Sequence, residues 1–429
     1  MLRLLKPLAI LLATSLCGSV YDFDLIKKGK EDNNTLLVVG GIQGDEPGGF
    51  LSASLLATHY KITKGSLWIV PNLNFYSIIQ RSRGPYGDMN RKFAHIDQND
   101  PEYANIQRIK HYIQADPVKL IVNLHDGSGF YRPYFEDKCR APNRWGQCSI
   151  IDQQALPMQE YGDLETIANS VVEYVNKSLL RPKDRYHLHN THTKEGNKEM
   201  EKTLTYYAIN QGKAAFGNEA SKSLPAHERV YYHLLALERY MQIMGIEYSR
   251  KFELSPLGIY NVINNDISVS FYNGSITLPL GDIKKELHYF PITKDQELAF
   301  RASNPLMKLL EIQNGYVLHY GNRELVRLKT DKFAHNPTNT KVKIEVDKEL
   351  KDIVFGSLLE VKEYFMIKPS KEFRINVIGF QTHQKDECDV KIKKENIPSC
   401  FSIDTKGKVY RVEYYKENTF AGMILVKFV

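Results

Sequence analysis

Thr35-Leu36-Leu37-Val38-Val39-Gly40-Gly41, running into Ile42-Gln43-Gly44-Asp45-Glu46-Pro47, decides how the first half of this chain is read. An apolar run closed by glycines has the pattern of a buried strand ending in a turn. Pro47 stands near the head of a helical stretch through Leu51, Leu55 and Leu56, where its missing N–H would have had no partner. Ser66 to Val70, ended by Pro71, is a second buried run. The order is strand, helix, strand, with Gln43 and Glu46 on the turn that enters the helix.

The pattern continues outward. Glu102 to Ile113 carries helical spacing, and Lys119 to Leu124 is a third apolar run that stops at His125 and Asp126. Glu165 to Leu180 reads as a helix, Ala214 to Phe216 as a short strand, and Pro225 to Met244 as a long helix closed by Gly245. Such alternation predicts an α/β sheet with helices on both faces, spanning residues 20–245. Beyond residue 246 the helical period largely disappears. Short β-rich runs such as Ile267 to Tyr272, Leu287 to Ile292, Tyr316 to Tyr320, Lys341 to Val346 and Val409 to Tyr415 take over, with a polar break near Asn336. They predict two small all-β domains, 246–335 and a sandwich-like 336–429. There is no internal repeat.

With 429 residues, 42% of them hydrophobic and 25% charged, the chain has ample material for more than one domain. Residues 1–19 read as an export signal: Arg3 and Lys6, a short apolar stretch from Pro7 to Leu16, then the small residues Cys17, Gly18 and Ser19. An uncleaved anchor and lipidation at Cys17 are the alternatives. No later segment approaches the roughly 20 apolar residues of a spanning helix. Loss of Arg3 and Lys6 lowers the formal charge from +7 to +5. Export, and the lack of any aromatic and basic repeat, argue against nucleic acid as a partner; an acidic wall polymer fits better. Cys139, Cys148, Cys388 and Cys400 form two locally spaced pairs, read as two short-loop disulfides in an oxidising compartment, with zinc binding as the rival.

Gln43 and Glu46, three apart in the turn, point the same way and can share one metal. His125 ends another strand at what should be the same edge of the sheet, beyond the carboxyl ends where open α/β sheets bind ligands. Arg83 and the Asp88-Met89-Asn90-Arg91 loop bring two guanidiniums and an amide together, and a guanidinium fork matches a terminal carboxylate. Glu219, in Phe216-Gly217-Asn218-Glu219, follows the short strand and is a candidate general base. Each signal is weak alone: a solvated turn, a rim histidine and surface arginines are the bland readings. His187, His189 and His192 lie in a polar, loop-like run and read as surface. Asp126 is a partner of the metal ligands or a turn former.

Taken in order, Gln43-x-x-Glu46, Arg83, Asn90-Arg91, His125 and Glu219 resemble the M14 zinc carboxypeptidases, over roughly residues 35–245. The resemblance implies a carboxypeptidase-like mixed sheet and Zn2+ held by Gln43, Glu46 and His125. It makes Asn90 and Arg91, with Arg83, the substrate-binding set, Arg83 also the stabiliser of the oxyanion, and Glu219 the catalytic base. Gln43 departs from the family pattern, which has histidine there; an amide oxygen is a weaker zinc donor, so lower metal affinity is expected.

That glutamine, the export signal and two trailing β domains resemble the cell-shape-determining D,L-carboxypeptidases of helical bacteria. The implied substrate is the peptidoglycan stem tripeptide, cut to a dipeptide by removal of meso-diaminopimelate in the periplasm, with other cell-shape proteins as further partners. Trp145 and the stretch Thr203 to Tyr207 are candidates for the side-chain pocket. A metal-free wall-binding protein using the same pocket is the alternative; an M14 deacylase of small N-acyl amino acids fits the export signal poorly.

Overall fold

The computed structural model describes residues 21–429 except 159, 293–297, 331–333, 339 and 384–386. The expected export signal lies outside the described residues. Through the first half the elements run β1 (Ile26–Gly29), β2 (Thr35–Val39), α1 (Pro47–His59), β3 (Tyr60–Lys64), β4 (Ser66–Val70), α2 (Phe75–Gln80), α3 (Tyr103–Gln114) and β5 (Val118–Gly127). They continue with β6 (Phe130–Tyr131), β7 (Arg140–Ala141), β8 (Cys148–Ile151), α4 (Leu164–Asn176), β9 (His187–Asn190), α5 (Leu204–Asn210), β10 (Ala214–Ser221), α6 (Ala226–Ile243), β11 (Glu247–Arg250) and α7 (Pro256–Asn264).

Seven strands make one mixed sheet in the order β1-β4-β2-β5-β10-β8-β9. The four at its centre are parallel, while β1 runs antiparallel to β4, and β8, itself parallel to β9, runs antiparallel to β10. Every residue of β2 and β4 is buried, as strands covered on both faces require. The crossover through α1 leads from β2 out to β4, and the one through α3 leads back over β2 to β5. Right-handed connections of opposite direction put the two helices on opposite faces. Helices α4 and α6 join α1 on its face, and α5 lies beside α3.

Four expectations need correction. Pairing of β10 with β5 continues as far as Ser221 opposite Gly127, so both strands outrun their apolar stretches and Glu219 lies inside a strand rather than after one. His187 and His189 belong to β9, which pairs with β8 at the sheet edge; they are half-buried strand residues, not a surface loop. The first cysteine pair is unjoined: strand β8 turns Cys148 into the interior, where its thiol donates to the Trp145 carbonyl at 3.0 Å, while Cys139 is exposed on the loop before β7. In the second pair Cys388 packs into the last apolar core and Cys400 sits at the surface. Finally, one helix persists past residue 246: α7 packs on α6, its first turn capped by the Ser255 hydroxyl accepting from Gly258 N at 3.1 Å.

From Ser268 onward the described regular structure is β-sheet with three short 3-10 turns, in three- and four-stranded sheets up to Thr330 and in five- and three-stranded sheets from Ala334 to Phe428. One apolar core runs from Phe23 through the main sheet into the middle strands, taking in Phe271, Leu318 and Val326, and reaches Phe420, Met423 and Leu425 near the end of the chain. A second core, which includes Ile344, Phe365, Val412 and Ile424, belongs to the last module alone. Arg81 donates to the Asn322 carbonyl at 2.7 Å, connecting the middle strands to the first domain, and Arg323 donates to Asn264 of α7 at 2.6 Å. Among the described residues no helix is long and apolar enough to cross a membrane.

Candidate metal and carboxylate site

The turn after β2 is held by backbone bonds before any side chain acts. Gly40 N donates to Val70 O at 2.7 Å, Asn74 N to Gly41 O at 2.8 Å, and Gly44 N to both Ser82 O and Ser77 Oγ at 2.9 Å. A Cβ on Gly44 would lie 2.0 Å from the Ser77 carbonyl oxygen, so only glycine permits this approach. The turn delivers Gln43, and Glu46 at the head of α1, to the carboxyl ends of β2 and β5, where His125 points back at them.

Three donor atoms meet there. His125 Nδ1 lies 3.0 Å from Gln43 Oε1 and 3.0 Å from Glu46 Oε2, all three residues buried. Gln43 is aimed by its own amide, whose Nε2 donates to Asp88 Oδ1 at 2.7 Å and leaves Oε1 facing the histidine. Glu46 Oε2 also accepts from Asp126 N at 3.1 Å. Among the described residues no three His, Cys, Asp or Glu converge as a metal site; here the third donor is an amide. The set nevertheless suits a cation. His125 Nε2 faces the Asn123 amide at 2.8 Å, and the Asn123 Oδ1 atom is buried without a partner. Exchanging the Asn123 O and N positions lets Oδ1 accept the Nε2 proton and leaves Nδ1 bare for a metal.

Arg83 Nε donates to Asp88 Oδ2 at 3.0 Å, and its Nη1 lies 3.5 Å from Glu46 Oε1. Asp88 therefore holds both Gln43 and Arg83. Burial would raise its carboxyl, but Arg83 beside it, the Gln43 amide and Arg91 hold it below the usual range. Asn90 accepts Leu204 N on its Oδ1 at 3.0 Å, while its Nδ2 lies 3.5 Å from His125 Nε2. Arg91 bonds to the Asn90 carbonyl at 3.1 Å and reaches Glu199 at 3.6 Å, remaining partly open to solvent. Two partly accessible guanidiniums thus flank the three converging donors.

Glu219 pairs in register with His125 on β5 and with Cys148 on β8. It is 8% exposed, and its Oε2 has no hydrogen-bond partner. Burial, with Glu46 and Asp126 near it, pushes its carboxyl well above the usual range. A buried carboxyl without a bond on one oxygen, beside a candidate metal, is equipped to take and return a proton.

The structure brings all seven expected residues to one sheet edge. It also adds several that the sequence did not single out. Asn123 faces His125, Lys222 reaches Asp45 at 2.7 Å and Glu46 at 3.5 Å, and Arg229 and His233 of α6 bond to Asp126. Asp88 stood in the quoted motif without a role. Apart from Asn123, two residues before His125, and Asp88, five after Arg83, these residues pair with partners remote in the chain and carry no local signal. Thr203 caps α5, whose first residue bonds to Asn90, so this stretch borders the site. Trp145 lies across Gly127, its ring 4.8 Å from His189, which stacks on Tyr131 at 4.0 Å. Burial lowers both His187 and His189 to about 4; the neighbouring Arg132 and Arg185 add to the shift for His187 and His192 adds to it for His189.

Comparison with known proteins places this geometry. Residues 9–264 match the model of the catalytic domain of a carboxypeptidase controlling helical cell shape, and residues 335–429 match a C-terminal domain of metallo-carboxypeptidase. No curated protein sequence matches the chain. Among solved structures, the tripeptide-bound cell shape determinant Csd4 of Helicobacter pylori is 39% identical, with a TM-score of 0.83, over 95% of this chain and 100% of that one. The mDAP-bound form of Csd4, described as a D,L-carboxypeptidase, is similar at 39% identity and a TM-score of 0.83, over 94% of this chain and 100% of that one. With its catalytic and C-terminal domains both matched, the chain belongs to the family of metallo-carboxypeptidases that control helical cell shape.

Proposed function

We propose that this chain is a zinc-dependent D,L-carboxypeptidase of the periplasm that removes meso-diaminopimelate from the peptidoglycan stem tripeptide, leaving a dipeptide and altering cell shape. The observation that carries the reading is the approach of Gln43 Oε1 and Glu46 Oε2 to one nitrogen of His125. Tripeptide and mDAP are bound by the similar Csd4, and the basic, then apolar, first nineteen residues support export.

Gln43, Glu46 and His125 would hold the ion. When bound, zinc supplies Lewis acidity, drawing the pKa of a water molecule down towards about 7. Arg91 and Asn90 bind the terminal carboxylate of the substrate and so set which peptide bond faces Glu219. Glu219 takes the proton of the attacking water and returns it to the leaving amine nitrogen. Arg83, kept charged and oriented by Asp88, faces the developing oxyanion. A metal-free binding role is the poorer reading, since it gives the buried Glu219 carboxyl nothing to do.

The test is incubation of the mature protein with purified muropeptides, with and without chelator, followed by mass spectrometry. Loss of diaminopimelate from the tripeptide only when metal is present is the expected result. A zinc-loaded preparation that leaves every stem peptide intact would sink the proposal.

A further inference from the structure

Behind the site, on the side of the sheet facing α6, four side chains form a hydrogen-bonded line. Neighbouring residues of a strand point to opposite faces. Because His125 and Glu219 share one face, Asp126, which follows His125, and Asn218, which precedes Glu219, turn to the other. His233 of α6 bridges them: its Nε2 lies 3.2 Å from Asp126 Oδ1 and its Nδ1 2.9 Å from Asn218 Nδ2. Asn218 Oδ1 in turn accepts from the Tyr186 hydroxyl at 2.8 Å. None of the four is more than 1% exposed.

The line has a direction. A carboxylate only accepts, so His233 Nε2 carries the proton that faces Asp126. The Asn218 amide turns its Nδ2 towards His233 Nδ1 and its Oδ1 towards Tyr186. The Asp126 end is fixed equally firmly. Its Oδ2 accepts from Gly48 N at 2.8 Å and Arg229 Nη1 at 3.0 Å, while its own N–H is bonded to Glu46. A Cβ on Gly48 would lie 2.2 Å from Asp126 Oδ1, so the helix start is fitted around this carboxylate. Arg229 also donates to the carbonyls of Lys222 and Leu224, fastening the segment that follows Glu219.

We propose that Tyr186, Asn218, His233 and Asp126 form a positioning line that sets the Glu219 carboxyl against Glu46 and His125; the inference rests on the carboxypeptidase reading of the site. None of the four would touch substrate. The line acts by joining the residue before the base to the residue after a metal ligand through consecutive buried hydrogen bonds. Small displacements of a reacting group are costly, about 100-fold for 1 Å.

The test compares the zinc-loaded full-length chain with His233→Leu, which removes both bonds; His233→Gln, which keeps an N–H donor for Asp126; and Tyr186→Phe, which removes only the far end. For His233→Leu, kcat on muramyl tripeptide should fall about 10–100-fold, with KM within about twofold and zinc content unchanged, because the substrate clamp lies on a separate loop. His233→Gln should recover part of that loss, and Tyr186→Phe should lower kcat about threefold or more. A kcat within twofold of wild type in His233→Leu, a matching rise in KM, loss of zinc, or a glutamine variant no better than leucine would each overturn the proposal. If His233→Leu does not fold, Tyr186→Phe decides: an unchanged kcat overturns it and a lower kcat at constant KM supports it. A wild-type chain without turnover would bring down the carboxypeptidase reading itself, and this inference with it.

Discussion

The last β module and the carboxyl edge of the main sheet fill their interiors in opposite ways. The module is packed with Ile344, Phe365, Ile367, Val412 and Ile424, each inaccessible to solvent. The sheet edge buries Gln43, Glu46, Asn123, His125, Asp126, Asn218 and Glu219 within one short stretch of structure. Apolar burial stabilises at about 25 cal/mol per Å2, whereas a buried polar group costs free energy unless it is bonded. The first region is therefore organised for stability, and the second is a polar interior maintained for chemistry.

Substitutions should separate the two. The largest effect is expected for Glu219→Gln, which should lower turnover about 1000-fold while metal content holds and the melting temperature stays level or rises, since a poorly bonded buried carboxyl is removed. Turnover assays, metal analysis and thermal melting check this together, and near-normal turnover would remove Glu219 from its role. Ile424→Ala should do the reverse, costing about 2–5 kcal/mol in denaturant unfolding with kcat unchanged for the folded fraction. Asp88→Ala frees both Gln43 and Arg83 and should weaken zinc about 10–100-fold by competition with a chelating dye; wild-type affinity would show that Asp88 orients neither.

Gln43→His should tighten zinc about tenfold in the same assay, imidazole being the better donor, and unchanged or weaker binding would count against Gln43 as a ligand. The smallest effect belongs to Cys139→Ser. With no disulfide to Cys148, its melting temperature should stay within about 1 °C of wild type, whereas losing a short-loop disulfide would cost about 2–3 kcal/mol.

The parts of the molecule that could be read in advance share a physical cause. The run Thr35 to Gly41, Pro47 at a helix start and the spacing from Gln43 to Glu46 are local signals, and the seven site residues lie in or beside such patterns. What escaped was set by distant pairing. His187 and His189 look polar enough for a loop, yet pairing with β8 and stacking on Tyr131 make them an edge strand. Cys139 and Cys148 are close in the chain, but a strand direction parts them. Asp126 and His233 lie 107 residues apart, and nothing near either one announces the other.

The core shared by the first domain and the middle strands has a further consequence, for how the chain is made. Phe23 and Leu425 belong to the same apolar cluster, which runs from the first domain through the middle strands to the last ones. Synthesis runs from the amino end, and contacts between remote segments form late and slowly. The apolar cluster that includes the first domain's core is thus complete only when Phe420, Met423 and Leu425 have been added. A truncation that spares every active-site residue but removes residues 420–425 would still open that interior to water.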